Sequence, residues 1–355
     1  MCIRDSVYID RLSRIPAIME MPYNDIIRKF IDMYAGRLRN QVSFMLSACN
    51  FYMPIFEEAL DAYGLPLELR YLPIIESALN PSAVSRAGAS GLWQFMIGTG
   101  KIYGLESNSL VDERRDPIKA TWAAARYLKE MYDIYGDWNL VIAAYNCGPG
   151  TINKAIRRAN GETDYWKIYN YLPKETRGYV PAFIAANYVM TYYCDHNICP
   201  METNIPASTD TVQVNKNLHF EQIADLCNVP LDQIKSLNPQ YKKQMIPGDS
   251  KPYTLRLPID AISTFIDKQD TIYAHRADEL FRNRKTVAIK EITPSTRKTT
   301  TAVAGKGKLT YYTIKSGDTL STIAGKYGVT IKDIQRWNGM SNTKIAAGKR
   351  LKIYK

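Results

Sequence analysis

"ESALNPSAVSRAGASGLWQFM", Glu76 to Met96, places one carboxylate at the end of an apolar run. A Gly/Ala/Ser-rich turn segment follows, and no Asp or Glu recurs before Glu106. The preceding "LELRYLPII" reads as the end of a helix, with Ile74 and Ile75 forming an apolar shelf beside Glu76. Burial on such a shelf disfavours the ionised carboxylate, so the acid stays protonated near neutrality and can serve as a general acid. A solvated Glu at a helix end is the ordinary alternative. Glycosidases of both stereochemical kinds use two carboxyl groups, so a lone acid raises the question of what stands in for the second. Glu106, Asp112, Glu113 and Asp116 are the carboxylates near enough in sequence to fold back and supply one.

Outward from this stretch the pattern is helical from Tyr23 to Cys194. "MPIFEEALDAYGLP" is expected to start a helix with Pro54 in its first turn and to stop at Gly64 and Pro66. Further helices are read in "DPIKATWAAARYLKEMYDIYG", "WNLVIAAYN" and "TRGYVPAFIAANYVMTYY". After Pro200 the periodicity changes and an internal repeat begins. "FEQIADLCNVPLDQIKSLNP" (Phe220–Pro239) aligns with "LSTIAGKYGVTIKDIQRWNG" (Leu320–Gly339), pairing Ile223 with Ile323, Ile234 with Ile334 and Asn238 with Asn338. Strand-like runs flank each copy, which gives two small β-α-α-β units.

The net charge of +11 is concentrated at one end: Phe281–Lys355 holds 17 Lys+Arg against 3 Asp+Glu. A basic tail commonly points to nucleic acid or another polyanion, but these charges decorate a small patterned unit and a Thr/Lys/Gly-rich linker, Glu291–Lys308. That arrangement argues against a nucleic-acid partner. The three histidines lack ligand spacing, so no metal site and no cofactor is expected. Cys194 and Cys199 flank a short turn and are either bridged or free thiols.

The "ES", "NPSAVS" and "GASGLWQFM" segments, followed by "AAYNCGPG" (Ala143–Gly150) and "ETRGYVPAF", resemble the lysozyme-like lytic transglycosylases of bacteria, in particular the membrane-bound D type. The resemblance covers roughly Phe51 to Tyr193. It implies an α+β chain: a mostly α, goose-type lysozyme-like catalytic domain followed by small β-α-α-β modules. It implies that Glu76 is the catalytic acid and then base, that Ser85 and Gln94 line the substrate cleft, that Tyr145 and Asn146 contact the sugar beside the scissile bond, and that Tyr179 lies near Glu76. Trp93 departs from the pattern commonest in related families and is read as core, with a stacking wall as the alternative. Cys147 beside Asn146 has no nearby His to activate it.

Tyr311–Lys355, with its "SGDTL" turn and "WNG", resembles a LysM domain, a module that binds N-acetylglucosamine-containing glycans. Gly317, Asp318, Thr319 and Asn338 are the positions expected to meet the glycan. The earlier copy reads "NKNLHF" where the turn should be, and is taken as a degenerate repeat for which packing and glycan binding are equal readings. The expected organisation is a helical extension over 1–50, the catalytic domain over 51–200, the degenerate repeat over 205–260, a connecting segment and basic linker over 261–308, and the LysM domain over 309–355.

The function so implied is non-hydrolytic cleavage of peptidoglycan glycan strands. A hydrolytic muramidase, a non-catalytic glycan-binding scaffold and a nucleic-acid binder are the rivals. A monomer in the periplasm is expected. "MCIRDSVYID" lacks a recognisable leader, and Cys2 sits in no lipobox; we read this start as incomplete, with outer-membrane attachment through a lost lipoprotein signal as the accompanying expectation.

Overall fold

The computed structural model describes residues 3–203, 205–206, 208–281, 309–315, 318–340, 343 and 345–354. Cys2, the linker 282–308 and Gly317 lie outside the described residues. The chain divides into two compact units, Met1–Ile292 and Thr293–Lys355.

The first unit begins with α1 (Ile3–Ser13), α2 (Asp25–Ala35) and α3 (Arg39–Ala62). Helix α3 corrects the expected start at Pro54, because the chain is already helical for the fifteen residues before it, and Pro54 lies inside the helix. An interior proline removes one backbone hydrogen bond. The stripe Val42, Met45, Tyr52, Phe56, Ala59 and Leu60 is buried on both sides of the proline, and this packing overrides the local break. The extension is therefore continuous with the catalytic core: Tyr8, Ile27 and Ile31 share one apolar cluster with Trp93, Ala124 and Phe183. Between α1 and α2, the buried Glu68 accepts the backbone N–H groups of Ile18 and Met19.

Next come α4 (Leu72–Ser77), α5 (Ile97–Ile102), α6 (Pro117–Tyr135), α7 (Trp138–Cys147), α8 (Pro149–Arg158), α9 (Tyr165–Ile168) and α10 (Lys174–Thr191). Helix α6 runs between the boundaries read from sequence: Asp116 caps its first N–H groups, and Gly136 closes it in the left-handed region. Helix α10 packs along α2 and α7.

The first repeat follows as β1 (Thr209–Val214), β2 (Asn217–His219), α11 (Phe220–Cys227), α12 (Leu231–Leu237), β3 (Met245–Pro247) and β4 (Tyr253–Pro258). Strands β1 and β4 pair antiparallel from Thr209↔Pro258 to Val214↔Tyr253. Residues 261–281, expected as a connecting segment, instead form α13 (Ile259–Asp267), α14 (Gln269–Ala274) and α15 (Ala277–Leu280). Ala261, Phe265 and Ile272 are buried in the repeat's own core, and the side-chain amide of Gln222 donates to the carbonyls of Tyr273 and His275. Helices this short carry too little periodicity to be read alone.

The second unit has β5 (Leu309–Thr313), α16 (Leu320–Tyr327), α17 (Ile331–Asn338) and β6 (Arg350–Tyr354), with β5 and β6 antiparallel. Trp337 is buried in its small core.

The offset of 100 residues between the copies has a physical meaning. Asn238 donates to the carbonyls of Ile234 (2.9 Å) and Arg256 (2.8 Å) and accepts from the Arg256 N–H (2.8 Å). Asn338 does the same with Ile334, Lys352 and the Lys352 N–H. Each asparagine pins its second helix to its last strand. Asn238→Ala is expected to cost about 1–3 kcal/mol in urea unfolding, because it leaves the part-buried N–H and carbonyl of Arg256 without their side-chain partner. The half-exposed counterpart, Asn338→Ala, is expected to cost about 1–2 kcal/mol.

Candidate active site

Helix α4 ends one residue after Glu76, and the turn that ends it is unusual. Ala78 and Leu79 both take positive φ, 51° and 59°, and their N–H groups return to the carbonyls of Ile74 and Pro73. Two consecutive non-glycine residues in the left-handed region are costly, on the order of 1 kcal/mol each. The cost is met by tethering: Ser77 Oγ donates to the carbonyls of Pro73 (3.0 Å) and Leu92 (2.9 Å), tying the end of the helix to the loop Ala83–Met96.

That loop carries Ser85 and Gln94. Ser85 Oγ accepts the Ala89 N–H at 3.0 Å, which closes the turn. Gln94 has φ 48° and donates its side-chain amide to the carbonyls of Gly91 (2.9 Å) and Ala83 (3.3 Å). Gly91 is required where it sits, since φ is +90° and a Cβ there would lie 1.7 Å from the carbonyl oxygen of Arg114. Glu76, Ser85 and Gln94 line one cleft of about 420 Å³, with Tyr34, Gln41 and Val84 on its walls.

From α10, the Tyr179 hydroxyl donates to Glu76 Oε1. Burial pushes the Glu76 carboxyl up to about 7; the Tyr179 bond pulls in the opposite direction, and the charge of Glu175 adds a smaller upward push. The acid therefore holds its proton much closer to neutral pH than an ordinary Glu does. Tyr179 and Tyr145 are themselves held well above the ordinary phenol range, first by burial and then by the Glu76 charge, so both are neutral donors.

Tyr145 donates to the Trp93 carbonyl at 2.8 Å, beside Gln94. Asn146, the next residue, is not among the residues that line this cleft, and its Oδ1 accepts from Thr176 Oγ1 at 2.9 Å. Trp93 is fully buried, with Nε1 donating to Thr121 Oγ1 and its ring edge-on to Phe56, so it is core rather than a stacking wall. Burial raises the Cys147 thiol, which opposes a thiolate nucleophile there. Cys194 and Cys199 are exposed free thiols, not a bridge.

The four carboxylates that could have folded back are engaged elsewhere. Glu106 pairs with Lys251 (2.7 Å) and accepts from Tyr253; Asp112 holds Arg114 through two bonds; Glu113 pairs with Lys119; Asp116 caps α6. Ser77, Thr176 and Arg114 support the site, and none was singled out from sequence. The Ser of "ES" and the Thr of "ETRGY" stood inside quoted motifs. Their partners lie 15 and 30 residues away, beyond any local pattern.

In the second unit, Asp318 accepts from the Tyr312 hydroxyl (2.7 Å) and the Lys315 N–H (2.8 Å), and these bonds hold its carboxyl below the usual range. Thr319 caps α16 and Asn338 is spent on its pin, so both shape the turn region from within.

Residues 53–168 match the transglycosylase SLT domain, 208–274 the lytic transglycosylase MltD, LysM-like domain, and 312–353 the LysM domain. The chain is 32% identical over 341 residues to membrane-bound lytic murein transglycosylase D of Escherichia coli (strain K12), spanning 94% of this chain and 70% of that one. It is 33% identical over 124 residues to the soluble lytic murein transglycosylase of the same strain, covering 33% of this chain and 19% of that one. The crystal structure of the 70 kDa soluble lytic transglycosylase of Escherichia coli overlaps 40% of this chain and 24% of its own, at 29% identity and a TM-score of 0.35. With an acid on its apolar shelf, the matched domains in order and a relative aligned over 94% of this chain, this chain belongs to the membrane-bound lytic murein transglycosylase D family.

Proposed function

We propose that this protein cleaves the β-1,4 bond between N-acetylmuramic acid and N-acetylglucosamine in peptidoglycan and leaves 1,6-anhydromuramoyl ends. The observation that carries this reading is a half-buried Glu76 whose carboxyl is pushed up to about 7, while Glu106, Asp112, Glu113 and Asp116, the next carboxylates along the chain, are all committed elsewhere.

In the first step Glu76 gives its proton to the glycosidic oxygen as the C1–O bond breaks. In the second, the now ionised carboxylate takes the proton of the same muramyl residue's 6-hydroxyl as that oxygen bonds to C1. One C–O bond is lost and one is made, no water is consumed, and Glu76 regains its proton. The internal hydroxyl has a high effective molarity, so it replaces both the attacking water and the carboxylate that would activate it. The neutral Tyr179 hydroxyl favours the ionised form of Glu76, the state the second step requires. Ser85 and Gln94 hold the sugars against the acid, Tyr145 braces Trp93–Gln94 from behind, and Asn146 fixes the start of α10 through Thr176.

The second unit is assigned glycan retention through the turn around Asp318 and Thr319, raising the local concentration of enzyme along its polymer. The relative's name carries membrane attachment, and we extend that to this chain, working as a monomer in the periplasm at the outer membrane. Among the described residues no helix is long and apolar enough to cross a membrane.

One observation favours a hydrolytic reading: the charge of Glu175, exposed on the first turn of α10, reaches Glu76. Mass spectrometry of digested sacculi separates the two. Anhydro ends from the wild type, still formed by Glu175→Gln at a rate within about threefold, are expected. Reducing muramic ends that vanish in Glu175→Gln would establish hydrolysis instead.

A further inference from the structure

The turn at which the second repeat is expected to meet glycan is closed in the first. Residues 217–219, which match 317–319, form β2 and pair with β3 through Leu218↔Ile246. His219 takes the place of Thr319 as the cap of the following helix. A Cβ on Gly248 would come within 2.2 Å of the Lys216 carbonyl oxygen, so the backbone is packed tight against this segment. What the repeat does present is a continuous junction with the catalytic domain. Leu110 and Val111 of the catalytic domain are buried in the repeat's core. Val111 forms an antiparallel bridge with Tyr241, the Asp112 N–H donates to the Gln240 carbonyl (2.9 Å), and the Lys242 N–H donates to the Leu110 carbonyl (2.8 Å). Lys242 Nζ donates to the Asn108 carbonyl (2.7 Å) and lies 3.7 Å from Asp112 Oδ2.

Two residues beyond that junction, the same segment holds the substrate loop. The Arg114 guanidinium is buried. Its Nε and Nη2 donate to the two oxygens of Asp112 at 2.9 and 2.8 Å, and its Nη1 donates to the carbonyls of Gly88 (2.8 Å) and Phe95 (2.9 Å). Gly88 and Phe95 lie on either side of the turn that aims Gln94, and Arg115 Nε adds a bond to Ser90 Oγ at 3.1 Å. One planar fork thus fastens the substrate loop to a carboxylate whose own backbone is paired with the repeat. A lysine cannot reproduce that geometry, because it has neither the plane nor the second arm.

We propose that the first repeat is a brace of the catalytic unit rather than a glycan-binding module, and that Arg114 is the positioning residue through which it sets the loop carrying Ser85 and Gln94. The assignment rests on the transglycosylase reading for its kinetic consequence, but not for its structural one.

The test uses full-length Arg114→Lys, Lys242→Met and the double variant, each checked for folded fraction by near-UV circular dichroism. Hydrogen exchange of the Ser85, Ser90 and Gly91 amides reads the loop directly. At least tenfold faster exchange is expected in Arg114→Lys and a smaller acceleration in Lys242→Met, although the Lys242 ammonium is bonded to Asn108 and paired with Asp112 rather than with the loop. On sacculi, kcat/KM per folded molecule is expected to fall about 10- to 100-fold in Arg114→Lys and about threefold or more in Lys242→Met. The double variant is expected to be no worse than Arg114→Lys alone, because both act along one path. Wild-type exchange in both single variants, or losses that multiply in the double, would overturn the brace. A wild type that forms no anhydro ends would overturn the transglycosylase reading while leaving the exchange result to decide the brace by itself.

Discussion

Glu76→Gln is expected to lower the rate of glycan cleavage by roughly 10³- to 10⁴-fold, with the fold intact. Gln has nearly the same shape but can neither deliver the first proton nor accept the second, so both halves of the reaction lose the same group. Release of anhydro-muropeptides from sacculi, followed by mass spectrometry, measures the loss; retention of even a tenth of the wild-type rate would remove Glu76 from the chemistry. The same variant carries a stability signature of definite sign. The carboxyl titrates near 7 in the folded protein against 4.5 for an unperturbed Glu. Between those values the unfolded chain ionises while the folded one stays protonated, so wild-type stability falls as pH rises from 4.5 to 7 and the penalty is constant above that. Glu76→Gln has no such penalty. It should match the wild type at pH 4 and exceed it at pH 8 by on the order of 2 kcal/mol, less than the full shift implies because the carboxyl still opens to the cleft.

Tyr179→Phe is expected to lower kcat about 10- to 100-fold and to move the alkaline limb of the pH profile upward from its position near pH 7. The lost rate corresponds to a hydrogen bond to a charged group, on the order of 1.5–3 kcal/mol. The sign of the shift follows from the partners. The Tyr179 hydroxyl stabilises the ionised Glu76, so its removal leaves burial and the Glu175 charge to push the carboxyl higher still. A profile measured from pH 5 to 9 that keeps its alkaline limb in place would show that the phenol does not act on the carboxyl in solution.

The helices most legible in sequence were those with chemical stops. Asp116 and Gly136 bound α6 because a side-chain oxygen satisfies the first N–H groups and a left-handed glycine closes the last turn, both local requirements. Helix α3 misled for the same reason: Pro54 is a local signal to begin, and only burial of residues on both sides of it carries the helix through. Helices α13–α15 had no local signal strong enough to read, and α13 and α14 exist because the first repeat offers Phe265 and Ile272 a core to enter.

At the site, the sequence by itself determined which carboxyl group is the candidate acid, its apolar shelf, the turn that follows and the order of the motifs, because each depends on neighbours within a few residues along the chain. The tertiary structure alone decided that Asn146 bonds to Thr176, that Glu106 and Asp112 belong to the junction with the repeat, and that one buried arginine ties that junction to the loop carrying Ser85 and Gln94. Those outcomes turn on which distant groups can satisfy a buried charge or hydrogen-bonding group, and a charge taken out of water selects its partner by proximity in space, which a linear pattern does not encode.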